Sequence, residues 1–236
     1  MAGRKTAGGP GKELEPLFAE RPTQWLVSDA YRLGAVPAGL ALVAFVFGFP
    51  ILGWIGLGLA LCVAAFFRNP ARTIPGAEGI VVSPADGRVV QVGEIEGPDG
   101  EKQLRVGIFL SVLNVHVNRM PVSGEVIEIE RGGHEFMAAF RPEAESRNVY
   151  CSVWLETPDK LRVRVTQITG WIARRIVCHL AVGDRVQRGD RYGLIRFGSR
   201  TDVVLPLGSE LQVARGDRVQ GGASVLARLP GGGKAS

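Results

Sequence analysis

Near its C-terminal end the sequence reads Leu194-Ile-Arg-Phe-Gly-Ser-Arg-Thr-Asp-Val-Val-Leu-Pro206, a strand-like run interrupted by Gly198-Ser199-Arg200. Glycine relaxes the backbone and serine is frequent in turns, so a turn or bulge would account for the interruption. The sharper reading places chemistry at Ser199, because a serine hydroxyl becomes a nucleophile once a base stands beside it. Two further stretches carry groups of that kind. Ser83-Pro-Ala-Asp-Gly-Arg-Val89 holds Asp86, and Asn114-Val-His-Val-Asn-Arg-Met-Pro-Val-Ser-Gly124 holds His116 and Arg119. Taken singly, each has a plain explanation: Pro-Ala-Asp-Gly suits a β-turn, a strand histidine is usually a packed residue, and an arginine is usually a solvated charge. Cys62, Cys151 and Cys178 are far apart with no C-x-x-C. A disulfide framework is therefore not expected and a reducing compartment fits. The histidines and cysteines also lack the ligand spacing of a metal site.

The elements that must position these groups fall into two textures. Positions 33–67 contain no charged residue, a stretch of 35 with Arg32 before it and Arg68 and Arg72 after it. A membrane-spanning helix needs about 20 apolar residues, so this stretch is long for one helix and short for two. Gly48-Phe49-Pro50 and Gly53 break it in the middle. The simplest expectation is an apolar helical hairpin that dips into or across one membrane, with its basic flanks on the cytoplasmic face. Beyond Pro70 the pattern changes to short Val- and Ile-rich runs between Gly, Pro and Asp turns, such as Arg88-Val-Val-Gln-Val and Leu161-Arg-Val-Arg-Val-Thr. Their length and period-two alternation predict strands. One short helix-like segment lies near 172–175. Gly183-Asp-Arg-Val echoes Gly216-Asp-Arg-Val, which suggests paired turns in a barrel-like sandwich of short hairpins. The predicted fold is thus mainly β, with an N-terminal apolar helical hairpin. The expected organisation is a disordered tail (1–20), a membrane-associated hairpin (21–70) and a β catalytic domain (71–236). The 28 basic and 23 acidic residues leave a mild excess of +5. That excess suits an anionic membrane surface, and without a basic stripe interleaved with aromatics nucleic acid is not an expected partner. No lysine stands in the hairpin-tip context of a lipoyl or biotinyl carrier.

In this order and behind an apolar hairpin, the P-A-D-G, N-V-H-V-N-R-M-P and R-F-G-S-R stretches resemble the short form of the phosphatidylserine decarboxylase proenzymes, over residues 20–229. The resemblance implies a chain that cuts itself between Gly198 and Ser199. The shorter product, 199–236, would begin with a covalent pyruvoyl group made from Ser199. It also implies phosphatidylserine as substrate, phosphatidylethanolamine as product, and a heterodimer of the two cleavage products, alone or in a higher oligomer.

Under that reading each residue acquires a role. The Ser199 hydroxyl attacks the Gly198 carbonyl, and glycine permits the strained backbone and close approach. The resulting ester leaves by elimination, and the dehydroalanine left behind hydrolyses to pyruvoyl and ammonia. His116 is the candidate base, since an unperturbed imidazole titrates near neutrality. Asp86 would orient it, as the third member of a catalytic set does. In the mature enzyme the ketone would take the substrate amine as a Schiff base and act as an electron sink. Arg119 is a candidate for the lipid phosphate or the serine carboxylate. His134 and Phe136 are candidate substrate-lining residues, with Met137 and Phe140 against acyl chains. Two alternatives stand beside this one: the same chemistry on an ether-linked phosphoserine lipid, and a membrane-anchored β-sandwich adaptor that is never cut.

Overall fold

A computed structural model of the chain describes residues 28–97, 100–139, 144–171, 175–195 and 198–231. The expected tail at 1–20, Phe140, Phe197 and positions 172–174 of the helix-like segment lie outside the described residues. The apolar block forms two helices, α1 (Ser28–Val46) and α2 (Pro50–Phe66). Pro50 starts α2, where its missing N–H costs no hydrogen bond, and Gly48 turns the chain at φ 78°. Small residues let the two helices meet. A Cβ on Gly56 would lie 2.9 Å from the Ala41 Cβ, and one on Gly53 would lie 2.6 Å from the Phe45 ring. Phe45 and Trp54 meet edge to face at 5.5 Å. Outward, the hairpin exposes Leu40, Val46, Phe47, Ile51, Leu52 and Trp54. Among the described residues, no helix is long and apolar enough to cross a membrane.

The rest is mainly β, dominated by one curled sheet of eight antiparallel strands. In spatial order the strands are β13 (Arg218–Val219), β2 (Gly87–Glu96), β3 (Lys102–Leu110), β11 (Ser199–Pro206), β7 (Arg162–Ile168), β6 (Tyr150–Glu156), β5 (Gly124–Gly132) and β9 (Arg185–Val186). A second sheet pairs β1 (Ile80–Val82), β14 (Val225–Arg228) and β12 (Glu210–Leu211). A third pairs β4 (Val117–Arg119), β10 (Arg191–Ile195) and β8 (Ile176–Cys178). The inner face of the curl buries Val89, Val106, Ile108, Val153, Val165 and Val203, with Leu226 of the second sheet against them. A short helix, α3 (Ala144–Arg147), precedes β6.

The Gly-Asp-x-Val echo has a structural counterpart at both edges of the large sheet. Gly183 donates its N–H to the Val126 carbonyl at 2.8 Å, and Val126 returns one to Asp184 at 2.8 Å. Gly216 and Val89 make the same exchange at the opposite edge, at 2.8 Å, with Val89 donating to Asp217 at 2.9 Å. Both glycines sit at positive φ, 94° and 105°, a region open to glycine at little cost. Each aspartate then closes its own turn, Asp184 accepting from the Ala181 N–H and Asp217 from the Ala214 N–H.

Candidate active site

Ser199 is the first residue of β11, and β11 lies in the middle of the large sheet. Ser199 pairs with Leu110 of β3, while Arg200 pairs with Ile168 of β7 on the other side. The strand is buried on both faces. Side chains alternate along a strand, so Ser199 and Thr201 share the face that carries the core residues Val203 and Leu205. Arg200 and Asp202 lie on the other. The Ser199 hydroxyl is fully buried and has no hydrogen-bond partner. Gly198 precedes it at φ 59°, in the left-handed region that favours glycine.

The residue after the serine is locked. Arg200 donates from Nε to Asp202 Oδ1 at 2.6 Å and from Nη2 to Oδ2 at 2.8 Å, and it also reaches Gln91. Arg105 stands 3.9 Å from the same carboxylate. This bidentate pair has the planar geometry that makes arginine–carboxylate contacts strong and directional. The cross-strand partner of Asp202 is Gly107, where a Cβ would lie 2.8 Å from Arg200 Nη2. Asp202, Gln91 and Gly107 are not legible as site residues, because only the β2–β3 and β3–β11 registers bring them together.

His116 immediately precedes β4. The pairing Val117↔Leu194 carries on to Ile195, whose N–H points to the His116 carbonyl at 3.4 Å. His116 therefore stands beside the segment that leads, four residues later, to Ser199. It is buried, its ring packs on Phe66 of α2 at 4.1 Å, and neither ring nitrogen has a hydrogen-bond partner. Burial first, and the nearby Arg68 charge, push its pKa down from the ordinary 6.5 to about 4, although the Asn114 main chain acts the other way. At pH 7 it is therefore a neutral imidazole.

Asp86 is held elsewhere. Its Oδ2 accepts from Arg72 Nη2 at 2.7 Å and its Oδ1 from the Gly221 N–H at 2.8 Å. Among the described residues no hydrogen bond joins it to His116. The Pro-Ala-Asp-Gly turn instead packs against β4, with the Arg119 N–H donating to the Pro84 carbonyl at 2.8 Å. Arg119 is buried, and its guanidinium donates to the Gly189 and Pro70 carbonyls and to Asn69 Oδ1. Burial, then Arg191 and Arg72, lower its pKa to about 10. These bonds make Arg119, the candidate for the lipid phosphate or the serine carboxylate, a clamp between segments in this structure. His134 is exposed, with Nε2 3.8 Å from Glu135 Oε1. Phe136 is half-buried in the adjoining loop.

Buried polar side chains lie around the serine strand. Gln167 of β7 pairs with Thr201 and donates to Asn118 Oδ1 of β4 at 2.8 Å, linking the large sheet to the third one. Asn118 Nδ2, Gln167 Oε1, Thr201 Oγ1 and Tyr192 OH join Ser199 Oγ and both His116 nitrogens as buried atoms without partners. Such atoms are rare in folded proteins, and one recognised reason for them is catalysis. Elsewhere, Cys151 and Cys178 line one cavity of about 500 Å3 with Arg131 and Arg175. Contact with Cys151 lowers the Cys178 thiol to about 7. No cluster of metal-ligand type occurs among the described residues.

Fold and site together define a mainly β protein in which a Gly-Ser bond opens a buried central strand and a buried histidine packs under a helical hairpin. The family model described as phosphatidylserine decarboxylase matches residues 59–227. The chain is 50% identical over 200 residues to the phosphatidylserine decarboxylase proenzyme of Symbiobacterium thermophilum, covering 84% of this chain and 92% of that one. It is 41% identical over 206 residues to the proenzyme of Geotalea uraniireducens (87% and 97% covered). With that of Nocardia farcinica it shares 46% over 205 residues (82% and 86% covered). The chain belongs to the phosphatidylserine decarboxylase family.

Proposed function

We propose that this chain cuts its own Gly198–Ser199 bond, turns Ser199 into a pyruvoyl group, and with it converts phosphatidylserine to phosphatidylethanolamine. One observation carries the reading: Ser199 Oγ is a fully buried hydroxyl without a partner, directly after a glycine in the left-handed region. A structural serine at that depth would be hydrogen-bonded, since an unsatisfied buried polar group costs about 1–3 kcal/mol. The residues present fit the group: the hydroxyl that must be consumed is at hand, and unpartnered polar atoms occur on Thr201 of the same strand, on Gln167 of the adjoining β7 and on Asn118, to which Gln167 donates.

The hydroxyl oxygen of Ser199 forms a bond to the Gly198 carbonyl carbon, the C–N bond breaks, and the proton passes to the freed nitrogen. Neutral His116 is in the right protonation state to accept a proton during this exchange. Loss of the Ser199 α-proton then breaks the Cβ–O bond, and Gly198 leaves as a carboxylate. Water replaces nitrogen as ammonia departs, which leaves a ketone at the head of the shorter chain. Once formed, that ketone supplies an electron sink for the release of carbon dioxide from the substrate headgroup. Asp86 and Arg119 act in this reading as supports: Asp86 binds Arg72 and the Gly221 N–H, and the Arg119 N–H ties the Pro-Ala-Asp-Gly turn to the strand that follows His116.

The exposed apolar hairpin supports a lipid surface as the place of work, with Arg68 and Arg72 at its foot on the cytoplasmic side. Phe66 of that hairpin packs directly on His116, so a headgroup at the membrane surface would lie close to the site.

Intact-mass analysis of the purified full chain tests the proposal. Two chains are expected, 1–198 and 199–236, the second carrying pyruvoyl and no free amine. Ser199→Ala stays whole and inert. A wild-type chain that stays whole and leaves phosphatidylserine untouched returns the protein to an adaptor role.

A further inference from the structure

The Gly198 carbonyl rests on a bare glycine. A Cβ added to Gly170 would run into the Gly198 carbonyl oxygen and lie 3.0 Å from its carbon. The Ala139 methyl is 3.4 Å from the same point. Gly198 itself has open space where its side chain would be, so it needs glycine for its φ, whereas Gly170 needs glycine for room. The segments that carry Gly170 and Ala139 are tied together by one side chain. Asn148, fully buried, donates to the Thr169 carbonyl at 2.8 Å and to the Met137 carbonyl at 2.8 Å, and accepts the Met137 N–H at 2.8 Å. Thr169 is fixed again by its N–H and hydroxyl, both donating to the Val149 carbonyl at 3.0 Å.

We infer that Gly170 and Asn148 are positioning residues for self-cleavage: the bare Cα at 170, held by the Asn148 bridge, sets the attitude of the Gly198 carbonyl toward the Ser199 hydroxyl. This rests on the self-cleavage proposed above. Attack on a carbonyl depends on the angle and distance of approach, and a misplacement of about 1 Å can cost on the order of 100-fold in rate. A methyl group at 170 displaces the carbonyl by at least that much, because the backbone oxygen is what it meets.

The test uses full-length Gly170→Ala and Asn148→Asp, with Trp171→Ala at an exposed neighbouring position as control. Cleavage is followed by mass, and the ester that precedes chain separation is trapped with hydroxylamine, which cuts it and leaves a hydroxamate on Gly198. Expected are a slowing on the order of 100-fold for Gly170→Ala, no hydroxylamine-sensitive ester, and a melting temperature close to that of uncut Ser199→Ala. Trp171→Ala cuts at the wild-type rate. Asn148→Asp loses two donated bonds, keeps the accepted one, and cuts about 10-fold more slowly, with less ester at every time point. Wild-type cutting by folded Gly170→Ala overturns the inference, and so does an uncut variant that accumulates ester normally. Should Gly170→Ala fail to fold, Asn148→Asp decides by the same two readouts. A wild-type chain with neither ester nor cleavage sinks the proposed function itself.

Discussion

At pH 7 His116 is a neutral imidazole sealed under Phe66, and two consequences of its pKa of about 4 can be measured. The first concerns catalysis. A base already free of its proton at pH 5 gives a self-cleavage rate that stays flat from pH 8 to pH 5 and falls only toward pH 4. A rate that instead halves near pH 6.5 would mean that the imidazole titrates at its ordinary value or that another group takes the proton. The second concerns stability. The folded value lies below the unfolded 6.5, so acidification protonates the unfolded chain first. Stability is unaffected above pH 6.5 and is lost between pH 6.5 and pH 4, by about 3 kcal/mol in all. Urea unfolding of uncut Ser199→Ala across that range measures the loss, and adding His116→Gln should flatten it.

Among the elements, β11 bears the most polar burden, because its outer face buries a charged pair. Arg200, Asp202 and Arg105 balance one another away from water. Removing the carboxylate takes the bidentate partner from the buried Arg200 guanidinium, and breaking a buried pair in this way costs about 3–5 kcal/mol. Asp202→Ala, measured by urea unfolding in the Ser199→Ala background, should lose stability of that order. A loss below about 1 kcal/mol, the range of solvent-exposed pairs, would mean that water reaches the pair. The two Gly-Asp turns at β9 and β13 cap opposite edges of the same sheet by the same bond exchange. Edges so closed are poor templates for pairing with other chains.

For the whole molecule, cutting at 198–199 does not divide the fold. The shorter product carries β11 to β14, and β11 keeps a full ladder on each side, to β3 and to β7. β14 continues to pair with β1, and β13 with β2. The two chains are therefore expected to co-elute on gel filtration in native buffer and to separate only in denaturant. Free small chain in native buffer would contradict this sheet order. The hairpin adds an apolar surface at the end of the molecule where His116 lies. This places the proposed headgroup chemistry next to the proposed membrane contact.

The sequence by itself determined the helical hairpin, the β character of the remainder and the residues around which the site is built. The reason is that these are local properties: uncharged length, period-two alternation, helix breakers and short motifs read within a few residues. It also carried the family, through the order of three stretches that are uninformative singly. It left α3 unseen, since four residues give no periodicity to read. Partnership was what only the tertiary structure decided. Asp86 went to Arg72 and Gly221 because its turn packs on β4, and Arg119 became a clamp because burial turned its fork inward. Gln167, Asn148 and Gly170 entered the site through strand register and close packing across tens of residues, which no local pattern encodes.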